Sequence, residues 1–262
     1  MNLAVVGSLA LDRVDGGKPR IGGCPFYAAR ALRVLGAQAA VVAKCAASDR
    51  RLLSPPLIRL GLPVTWHDSA ATAGFTITND GDRRRMSVSA LADPWTPDQV
   101  RVPARWVHVA TLVRSDFPAE TLAALARGRR VSLDGQGLVR SARTGPLELD
   151  ADFDPDLLRS VSILKLAEEE ANLLVDGFDE RALRRLGVPE IVVTLGDRGC
   201  VVFADGIAEL VRARRVLCAD PTGAGDGFAA AYLAARSSGN APTAAARRAA
   251  GLVADLFAGR TG

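Results

Sequence analysis

The chain has few of the residues from which metal centres and disulfide frameworks are built. Its 262 residues include two histidines, His67 and His108, and four cysteines, none of them in a CxxC pair. Structural zinc sites need cysteines and histidines at short, regular spacings, so the sequence does not predict a zinc site. Scattered cysteines in a chain of this length are typical of buried thiols in a reducing compartment. We therefore predict a cytoplasmic protein.

Long apolar runs and mixed basic–aromatic runs are also missing. No apolar stretch approaches the roughly 20 residues of a membrane-spanning helix. The apolar run at residues 3–11 has no basic segment before it and meets Asp12 directly, which favours a strand over a signal peptide. The densest basic run, residues 83–85, contains no aromatic side chain. It fits a solvated strand or loop, or a surface that attracts an anionic co-substrate. Neither a membrane nor a nucleic-acid partner is expected.

The most informative stretch is DPTGAGDGF at residues 220–228, which is followed by an alanine-rich helical run. Gly223, Ala224 and Gly225 have little or no side chain, so their backbone N–H groups can approach one anion at the positive end of the helix. Asp226 places a carboxylate beside those amides. Phosphoryl transfer to a hydroxyl needs both groups, because amides stabilise the phosphate charge and a carboxylate accepts the proton. A glycine-rich turn with an aspartate that caps a helix is the structural alternative.

A second group of candidates lies near the N-terminus. Residues 2–7 form an apolar run that is typical of an inner parallel strand, and Asp12 follows where open α/β sheets bind ligands. Gly22 and Gly23 precede a helix predicted over residues 26–36, and a glycine pair lets a ligand approach the backbone closely. For Asp12 and for the glycine pair alike, an ordinary turn is the structural alternative.

Strands and helices alternate along most of the chain. Buried strands are predicted at residues 39–44, 106–112, 130–133, 162–165 and 190–195. Right-handed crossovers place the carboxyl ends of such strands along one edge of a sheet. Short alternating pieces within residues 63–90, with the turn NDGD, predict a small additional sheet. We predict one α/β domain over residues 1–262, with a mostly parallel central sheet flanked by helices and the small sheet as an insertion.

These motifs, in this order, resemble the ribokinase-like (PfkB-type) carbohydrate kinases. DPTGAGDGF resembles their C-terminal signature, and GSLALD at residues 7–12 and the later glycine pair resemble their first strand end and GG loop. The resemblance implies that the γ-phosphoryl group of ATP is transferred to a sugar or polyol hydroxyl, with Mg²⁺ as cofactor. Asp226 would be the base, and residues 223–225 would stabilise the transferring phosphate.

The same resemblance implies an acceptor site beneath a β lid. Asp12, Gly22 and Gly23 would hold the acceptor together with Asp226. Tyr27 stands where many members of the family carry an asparagine, so the acceptor contact there would be altered. The first lid segment, residues 13–21, is very short, which implies a reduced lid.

A nucleotide site is implied as well. TLGDRG at residues 194–199 resembles the turn beside the phosphates in the family, and a hairpin turn is the alternative. Glu170 matches the family glutamate that orders hydrated magnesium, although Ala167 replaces the usual asparagine; a charged first helical turn is the alternative. The implied nucleotide-binding residues are Lys165, Thr194, Gly196, Arg198, Gly199, Gly223, Gly225, Ala250 and Gly251.

The motif details are most similar to the myo-inositol kinase branch of the family. These details are the lysine before the glutamates, DGQGLVR at residues 134–140, and Pro221. Asp134, Gln136 and Arg140 would then line the phosphate and polyol region, with a strand-end turn and a surface arginine as the alternative. The resemblance also leaves room for a monovalent cation near Asp220 and for a homodimer.

Two other functions stay open. The acceptor could be ribose or a nucleoside, and Trp66, Phe75 and Tyr27 are the aromatic side chains that could contact a base. The chain could instead be a non-catalytic relative that binds a nucleotide or sugar. The asparagine missing at position 167 and the short first lid segment favour this interpretation, and the intact GAGD opposes it.

Overall fold

The computed structural model describes residues 2–80, 83–175, 180–216 and 221–259. The strands are β1 (Leu3–Ser8), β2 (Ala10–Val14), β3 (Arg20–Gly22), β4 (Ala39–Cys45), β5 (Val64–Asp68), β6 (Ala73–Asp80), β7 (Arg83–Ala90), β8 (Trp106–Val109), β9 (Arg130–Asp134), β10 (Gly145–Pro146), β11 (Ile163–Ala167), β12 (Glu190–Thr194), β13 (Cys200–Ala204) and β14 (Ile207–Val211). The helices are α1 (Cys24–Val34), α2 (Arg50–Ile58), α3 (Ala119–Ala126), α4 (Gln136–Val139), α5 (Glu168–Leu174), α6 (Glu180–Arg185), α7 (Ala224–Ser237) and α8 (Pro242–Phe257).

Nine strands form the larger sheet, in the order β14-β13-β12-β11-β9-β8-β1-β4-β5. Neighbouring strands from β12 to β5 run parallel, and β13 and β14 pair antiparallel at one edge. Strand β1 is buried at every position, as expected for an inner parallel strand covered on both faces. The predicted α/β class is therefore confirmed, and the carboxyl ends of β1, β9, β11 and β12 lie along one edge of the sheet.

Helices cover both faces of this sheet. α1, α7 and α8 pack on one face around Leu32, Phe228 and Leu233, whereas α3, α5 and α6 cover the other face. Small side chains along α7, from Ala229 to Ala231, let it pack closely against its two helical neighbours. In the described part of the chain, no helix is both long and apolar enough to cross a membrane.

Helix α7 is attached to the larger sheet toward its C-terminal end. Glu190, at the start of β12, accepts hydrogen bonds from the Tyr232 hydroxyl and from Arg236. The carboxylate of Glu190 and the guanidinium of Arg236 are both largely buried. This pairing fixes the position of α7 on the sheet.

Five strands form the smaller sheet, in the order β10-β7-β6-β2-β3. The prediction for residues 63–90 was partly wrong: β6 and β7 belong to this sheet, but β5 pairs parallel with β4 at the edge of the larger one. An edge strand is only half covered, so it shows the alternating pattern that resembled a lid strand. The smaller sheet also includes β2, β3 and the distant β10. The prediction of one domain over residues 1–262 stays a prediction.

Candidate active site

The turn before α7 is shaped to bind an anion. Gly223 adopts φ 83°, and a Cβ atom there would lie 2.3 Å from Cδ1 of Tyr27, so only glycine fits. Ala224 donates its N–H to the carbonyl of Pro221 at 3.0 Å. The amides of Gly225 and Asp226 lie in the first helical turn, where a helix supplies no partner for them. The amides of residues 225 and 226 are therefore the better placed donors, and the predicted role of the Ala224 amide stays a prediction.

Asp226 lies in the first turn of α7 and is partly exposed. Burial raises the pKa of its carboxyl group to about 6, and the nearby Asp134 contributes in the same direction. The thiol of Cys24 and the charges of Lys165 and Arg140 lower this pKa. A carboxylate with a pKa near neutrality is well suited to accept a proton at physiological pH.

A buried ion pair lies beneath the anion-binding turn. The Nζ atom of Lys165 is 3.4 Å from Asp134, and the two side chains are 9% and 1% exposed. Burial by itself lowers the pKa of Lys165, but the carboxylates of Asp134, Glu170 and Asp226 outweigh it and raise that pKa. A Cβ atom on Gly225 would lie 3.0 Å from this Nζ atom. Lys165 therefore places positive charge directly under the amides.

This pair changes the roles expected for two residues. Asp134 was predicted to line the acceptor region, but its side chain is buried and interacts with Lys165 and with the backbone N–H of Gln136. Gln136 was predicted alongside it, yet its Nε2 atom donates to Cys24 Sγ at 2.6 Å and to the carbonyl of Thr111 at 2.5 Å. These polar groups are already satisfied beneath the site, and the predicted contacts of both residues with the acceptor stay predictions.

Arg140 follows α4 and is partly exposed. Its charge lowers the pKa of Asp12, of Asp226 and of Glu170. Arg140 therefore favours the charged form of the three carboxylates predicted for the acceptor, the base and the metal.

Asp12 lies on β2 of the smaller sheet and is 5% exposed. Its Oδ1 atom is buried and has no hydrogen-bond partner within the described part of the chain. Burial raises the pKa of Asp12 to about 6, although Arg20, Arg84 and Arg140 oppose the shift. A buried carboxylate oxygen without a partner is costly, and a hydroxyl of a bound acceptor would satisfy it.

The glycine pair lies directly against Asp12. A Cβ atom on Gly22 would lie 1.9 Å from Asp12 Oδ2. Gly23 adopts φ 92°, and a Cβ atom there would lie 2.9 Å from backbone atoms of Ser8 and Ala10. Neither position admits a side chain. Tyr27, on the next turn, packs its ring on Gly223 and lines a cavity of about 500 Å³ with Arg20.

A second cavity, of about 290 Å³, opens beside the anion-binding turn. Its described lining residues are Thr194, Gly196, Asp197, Gly199, Ala213, Arg214, Val216, Pro221, Ala224, Gly225, Phe228, Ala250, Val253, Ala254 and Phe257. Most of these side chains are apolar, so the cavity suits a flat apolar group. The hydroxyl of Thr194 donates to the carbonyl of Leu166 at 3.2 Å, which leaves its oxygen as an acceptor.

Two residues predicted for the nucleotide lie elsewhere. Arg198 forms an ion pair with Glu168 and does not line the cavity. Gly251 is exposed, and a Cβ atom there would meet nothing within 4 Å. Val253, Ala254 and Phe257 also line the cavity and were not predicted. They follow Ala250 at helical spacing and so share its face, and that periodicity was the available signal.

Glu170 is buried in the first turn of α5, and its Oε2 atom accepts the N–H of Ala167 at 2.7 Å. Burial raises the pKa of Glu170, and Lys165 opposes that shift. No group of three potential ligands is present among the described residues, but a single carboxylate can hold a hydrated Mg²⁺ ion through water. Glu170 fits that indirect role. Asp220, predicted to lie near a monovalent cation, is outside the described residues.

Comparisons with known proteins find relatives by sequence and by structure. An inositol 3-kinase of Oryza sativa subsp. japonica is 31% identical over 270 residues, covering 92% of this chain and 64% of that protein. This chain thus spans somewhat under two thirds of that relative. A pyrophosphate-dependent kinase of the ribokinase family, solved with a pyrophosphate analogue and myo-inositol, superposes with a TM-score of 0.84 at 25% identity, covering 98% of this chain and 95% of that one.

The Arabidopsis thaliana ribokinase complexed with ribose and ATP has the same fold, with a TM-score of 0.74 at 20% identity over 98% of this chain and 92% of that one. The ribokinase-like architecture and its flanking helices are therefore confirmed. Residues 7–262 match the pfkB family of carbohydrate kinases. The chain belongs to the pfkB carbohydrate kinase family, whose members transfer a phosphoryl group to a hydroxyl.

Proposed function

We propose that this kinase transfers the γ-phosphoryl group of ATP to a hydroxyl of a small polyol, with myo-inositol as the first candidate. The observation that carries the proposal is a pair of carboxylates, Asp226 beside the first-turn amides of α7 and Asp12 with a buried oxygen that has no partner among the described residues. One can accept a proton next to a phosphate site, and the other can hold a hydroxyl.

The chemistry follows from these positions. Asp12 and Arg140 orient the acceptor, and Asp226 takes the proton as the hydroxyl oxygen bonds to the terminal phosphorus. The bond from phosphorus to the bridging oxygen breaks, and its electron pair leaves with ADP. The amides at residues 225 and 226, with Lys165 beneath them, stabilise the charge on the transferring group. A bound Mg²⁺ ion would offset the charge of the donor phosphates, and Glu170 would hold its water shell.

Pyrophosphate is a second candidate donor. The structural neighbour with a TM-score of 0.84 is pyrophosphate-dependent and was solved with myo-inositol bound. The apolar cavity lined by Phe228, Ala250 and Phe257 favours ATP instead, because a purine fills such a cavity and pyrophosphate has no group to place there.

The acceptor is proposed to be a polyol because the Oryza sativa relative is an inositol 3-kinase and the pyrophosphate-dependent neighbour was solved with myo-inositol bound. A nucleoside is the alternative acceptor. Phe75 was one aromatic candidate for stacking on a base, but it is buried in the core, which weakens that alternative. A non-catalytic relative remains the alternative from another class of function.

The test is a matrix of two donors, ATP and pyrophosphate, against myo-inositol, ribose and inosine. Release of ADP or phosphate gives the rate, and ³¹P NMR of the product identifies the new phosphate ester. We expect ATP with myo-inositol to give the highest kcat/KM. Turnover only with a nucleoside would contradict the proposed acceptor, and turnover only with pyrophosphate would contradict the proposed donor. No turnover with any pair would support the non-catalytic alternative.

A further inference from the structure

Arg114 lies in the turn that follows β8, at the edge of the larger sheet that carries the candidate site, and no sequence motif includes it. The carboxylate of Asp116 closes this turn, because it accepts the N–H groups of Leu112 and Val113 at 2.5 and 3.4 Å. The Arg114 side chain is only 19% exposed. Its charge is therefore largely removed from water and needs partners within the protein.

These partners lie at the two ends of one hairpin, residues 139–150, which we call the bridging hairpin. The backbone N–H of Arg114 donates to the carbonyl of Arg140 at 3.1 Å, and its Nε atom donates to the carbonyl of Leu138 at 3.1 Å. Its Nη2 atom donates to the carbonyl of Asp150 at 3.3 Å and forms an ion pair with the carboxylate of the same residue. Arg114 therefore ties the start of the hairpin to its end.

The bridging hairpin reaches from the larger sheet to the smaller one. At its base Arg140 pairs antiparallel with Leu149. At its tip β10 pairs antiparallel with β7, and the N–H of Leu147 donates to the carbonyl of Met86 at 2.9 Å. The base is thus fixed by Arg114, whereas the tip forms one edge of the smaller sheet.

We propose that Arg114 is a positioning residue for acceptor binding, which fixes the bridging hairpin and so holds Arg140 at the site and anchors one edge of the smaller sheet. The backbone of Arg140 is held on both sides, since its N–H donates to the carbonyl of Gln136 at 3.0 Å and its carbonyl accepts the N–H of Arg114. The charge of Arg140 lowers the pKa values of Asp12 and Asp226. This inference rests on the proposed function, in which Arg140 orients the acceptor.

Donor binding should not depend on this hairpin. None of the described residues that line the cavity beside the anion-binding turn belongs to the turn at residues 110–117 or to the bridging hairpin. Loss of the Arg114 side chain should therefore raise the KM for the acceptor and leave the KM for the donor unchanged. A residue that only stabilises the fold would not separate the two KM values in this way.

The first experiment compares Arg114→Met with Arg129→Met. Arg129 is a matched control, because its guanidinium also donates to backbone carbonyls, those of Val102 and Leu125, but at the amino end of β9. In Arg114→Met we expect the KM for myo-inositol to rise about three- to tenfold, the effect of one or two hydrogen bonds, and the KM for ATP to change by less than about twofold. Arg129→Met should change neither KM. Equal effects in both variants, or an equal rise in both KM values of Arg114→Met, overturn the proposal.

The second variant, Asp150→Asn, tests the route from Arg114 to the hairpin. It removes the ion pair and keeps the backbone carbonyl, so the KM for the acceptor should rise less than in Arg114→Met. The double variant should match Arg114→Met alone, because residues that act through one contact are not additive. Independent, additive rises contradict the proposal. If Arg114→Met does not fold, Asp150→Asn carries the comparison with Arg129→Met.

A third measurement does not depend on turnover. Hydrogen exchange followed by mass spectrometry reports the opening of the bridging hairpin, in which the N–H groups of Leu147 and Asp150 are hydrogen-bonded. We expect faster exchange there in Arg114→Met and no change there in Arg129→Met. Unchanged exchange in Arg114→Met refutes the anchoring role. Faster exchange in a protein that turns over none of the tested pairs supports the anchoring role and contradicts the proposed function instead.

Discussion

Arg84 on β7 donates a hydrogen bond from Nη1 to Oγ1 of Thr222 at 3.0 Å, across 138 residues of chain. This contact joins the smaller sheet to the anion-binding turn. The charge of Arg84 also acts on Asp12, whose pKa it lowers. Arg84 therefore lies between the proposed acceptor and the proposed phosphate site, and the smaller sheet is docked onto the turn in this structure.

Replacement of Arg84 should weaken the contact between the smaller sheet and the anion-binding turn. We expect Arg84→Ala to lower kcat by about two- to tenfold and to raise the KM for the acceptor, because an exposed hydrogen bond contributes roughly 0.5–1.5 kcal/mol. Thr222→Val removes the hydrogen bond but keeps the charge and should have a smaller effect. Arg85→Ala is the matched control, since adjacent strand residues point to opposite faces. Equal kinetics for the Arg84 and Arg85 variants would contradict a role for Arg84 at the site.

Asp226→Asn should remove most turnover and leave donor binding nearly intact. General-base catalysis typically supplies about 10²–10⁴-fold, so we expect a loss of that size in kcat and little change in donor affinity measured by calorimetry. In the wild type, activity should fall as pH drops through about 6, because the base must be deprotonated and its pKa is raised to that value. Retention of more than about a tenth of the wild-type kcat argues against the base role.

Asp12→Asn should stabilise the protein while it impairs acceptor binding. Burial raises the pKa of Asp12 from 3.8 to about 6, so the charged form is disfavoured in the folded state. The folded state then binds more protons than the unfolded state between these values, and stability contributed by Asp12 falls as pH rises through that window. At pH 7 the substitution should raise the free energy of unfolding by up to about 3 kcal/mol.

The control for this prediction is Asp15→Asn at the end of the same sheet. Asp15 accepts two hydrogen bonds from Asn79, and these lower its pKa. Loss of that charge should leave stability unchanged or slightly reduced. Urea unfolding of both variants at pH 7 and pH 4.5 is the measurement. If Asp12→Asn is less stable than the wild type at pH 7, the buried carboxylate of Asp12 does not destabilise the folded state, and the prediction is wrong.

Loss of Lys165 should lower the free energy of unfolding of the protein. Lys165→Met leaves Asp134 buried without its partner, and breaking such a pair typically costs about 3–5 kcal/mol. The double variant Lys165→Met/Asp134→Asn should recover most of that stability but not the activity, because the positive charge beneath Gly225 is gone. The exposed pair Arg184–Glu180 is the control, and Arg184→Ala should change stability by less than about 1 kcal/mol. Full activity in the double variant would refute the role of this charge.

Ala250→Trp separates the two candidate donors. The added ring fills the cavity beside Phe228, so we expect the KM for ATP to rise at least tenfold while any turnover with pyrophosphate is unchanged. Gly251→Ala, one position along the same helix, faces open space and should leave both donors unaffected. Thermal unfolding checks that both variants fold. An unchanged KM for ATP in Ala250→Trp means that the base does not occupy this cavity.

Features of the site that lie within one short segment could be predicted from the sequence. Contacts between residues far apart in the chain could not. The Gly223 turn and Asp226 lie within one short segment, so their relation follows from local geometry. The contact between Asp134 and Lys165 depends on β9 and β11 being neighbours in the sheet, and the contact of Arg84 with Thr222 depends on how the smaller sheet docks. Strand order and docking are set by tertiary packing. For the same reason β5, an edge strand with an alternating pattern, was assigned to the wrong sheet.

The attachment of α7 at Glu190 has a consequence for product release. Tyr232 and Arg236 hold the far end of this helix, so the end that carries Gly225 and Asp226 cannot retreat without breaking a buried cluster. The smaller sheet, by contrast, meets that end through the surface contact of Arg84. We therefore expect the anion-binding turn at the start of α7 to stay in place throughout the reaction. The phosphorylated product should leave when the smaller sheet moves away from this turn.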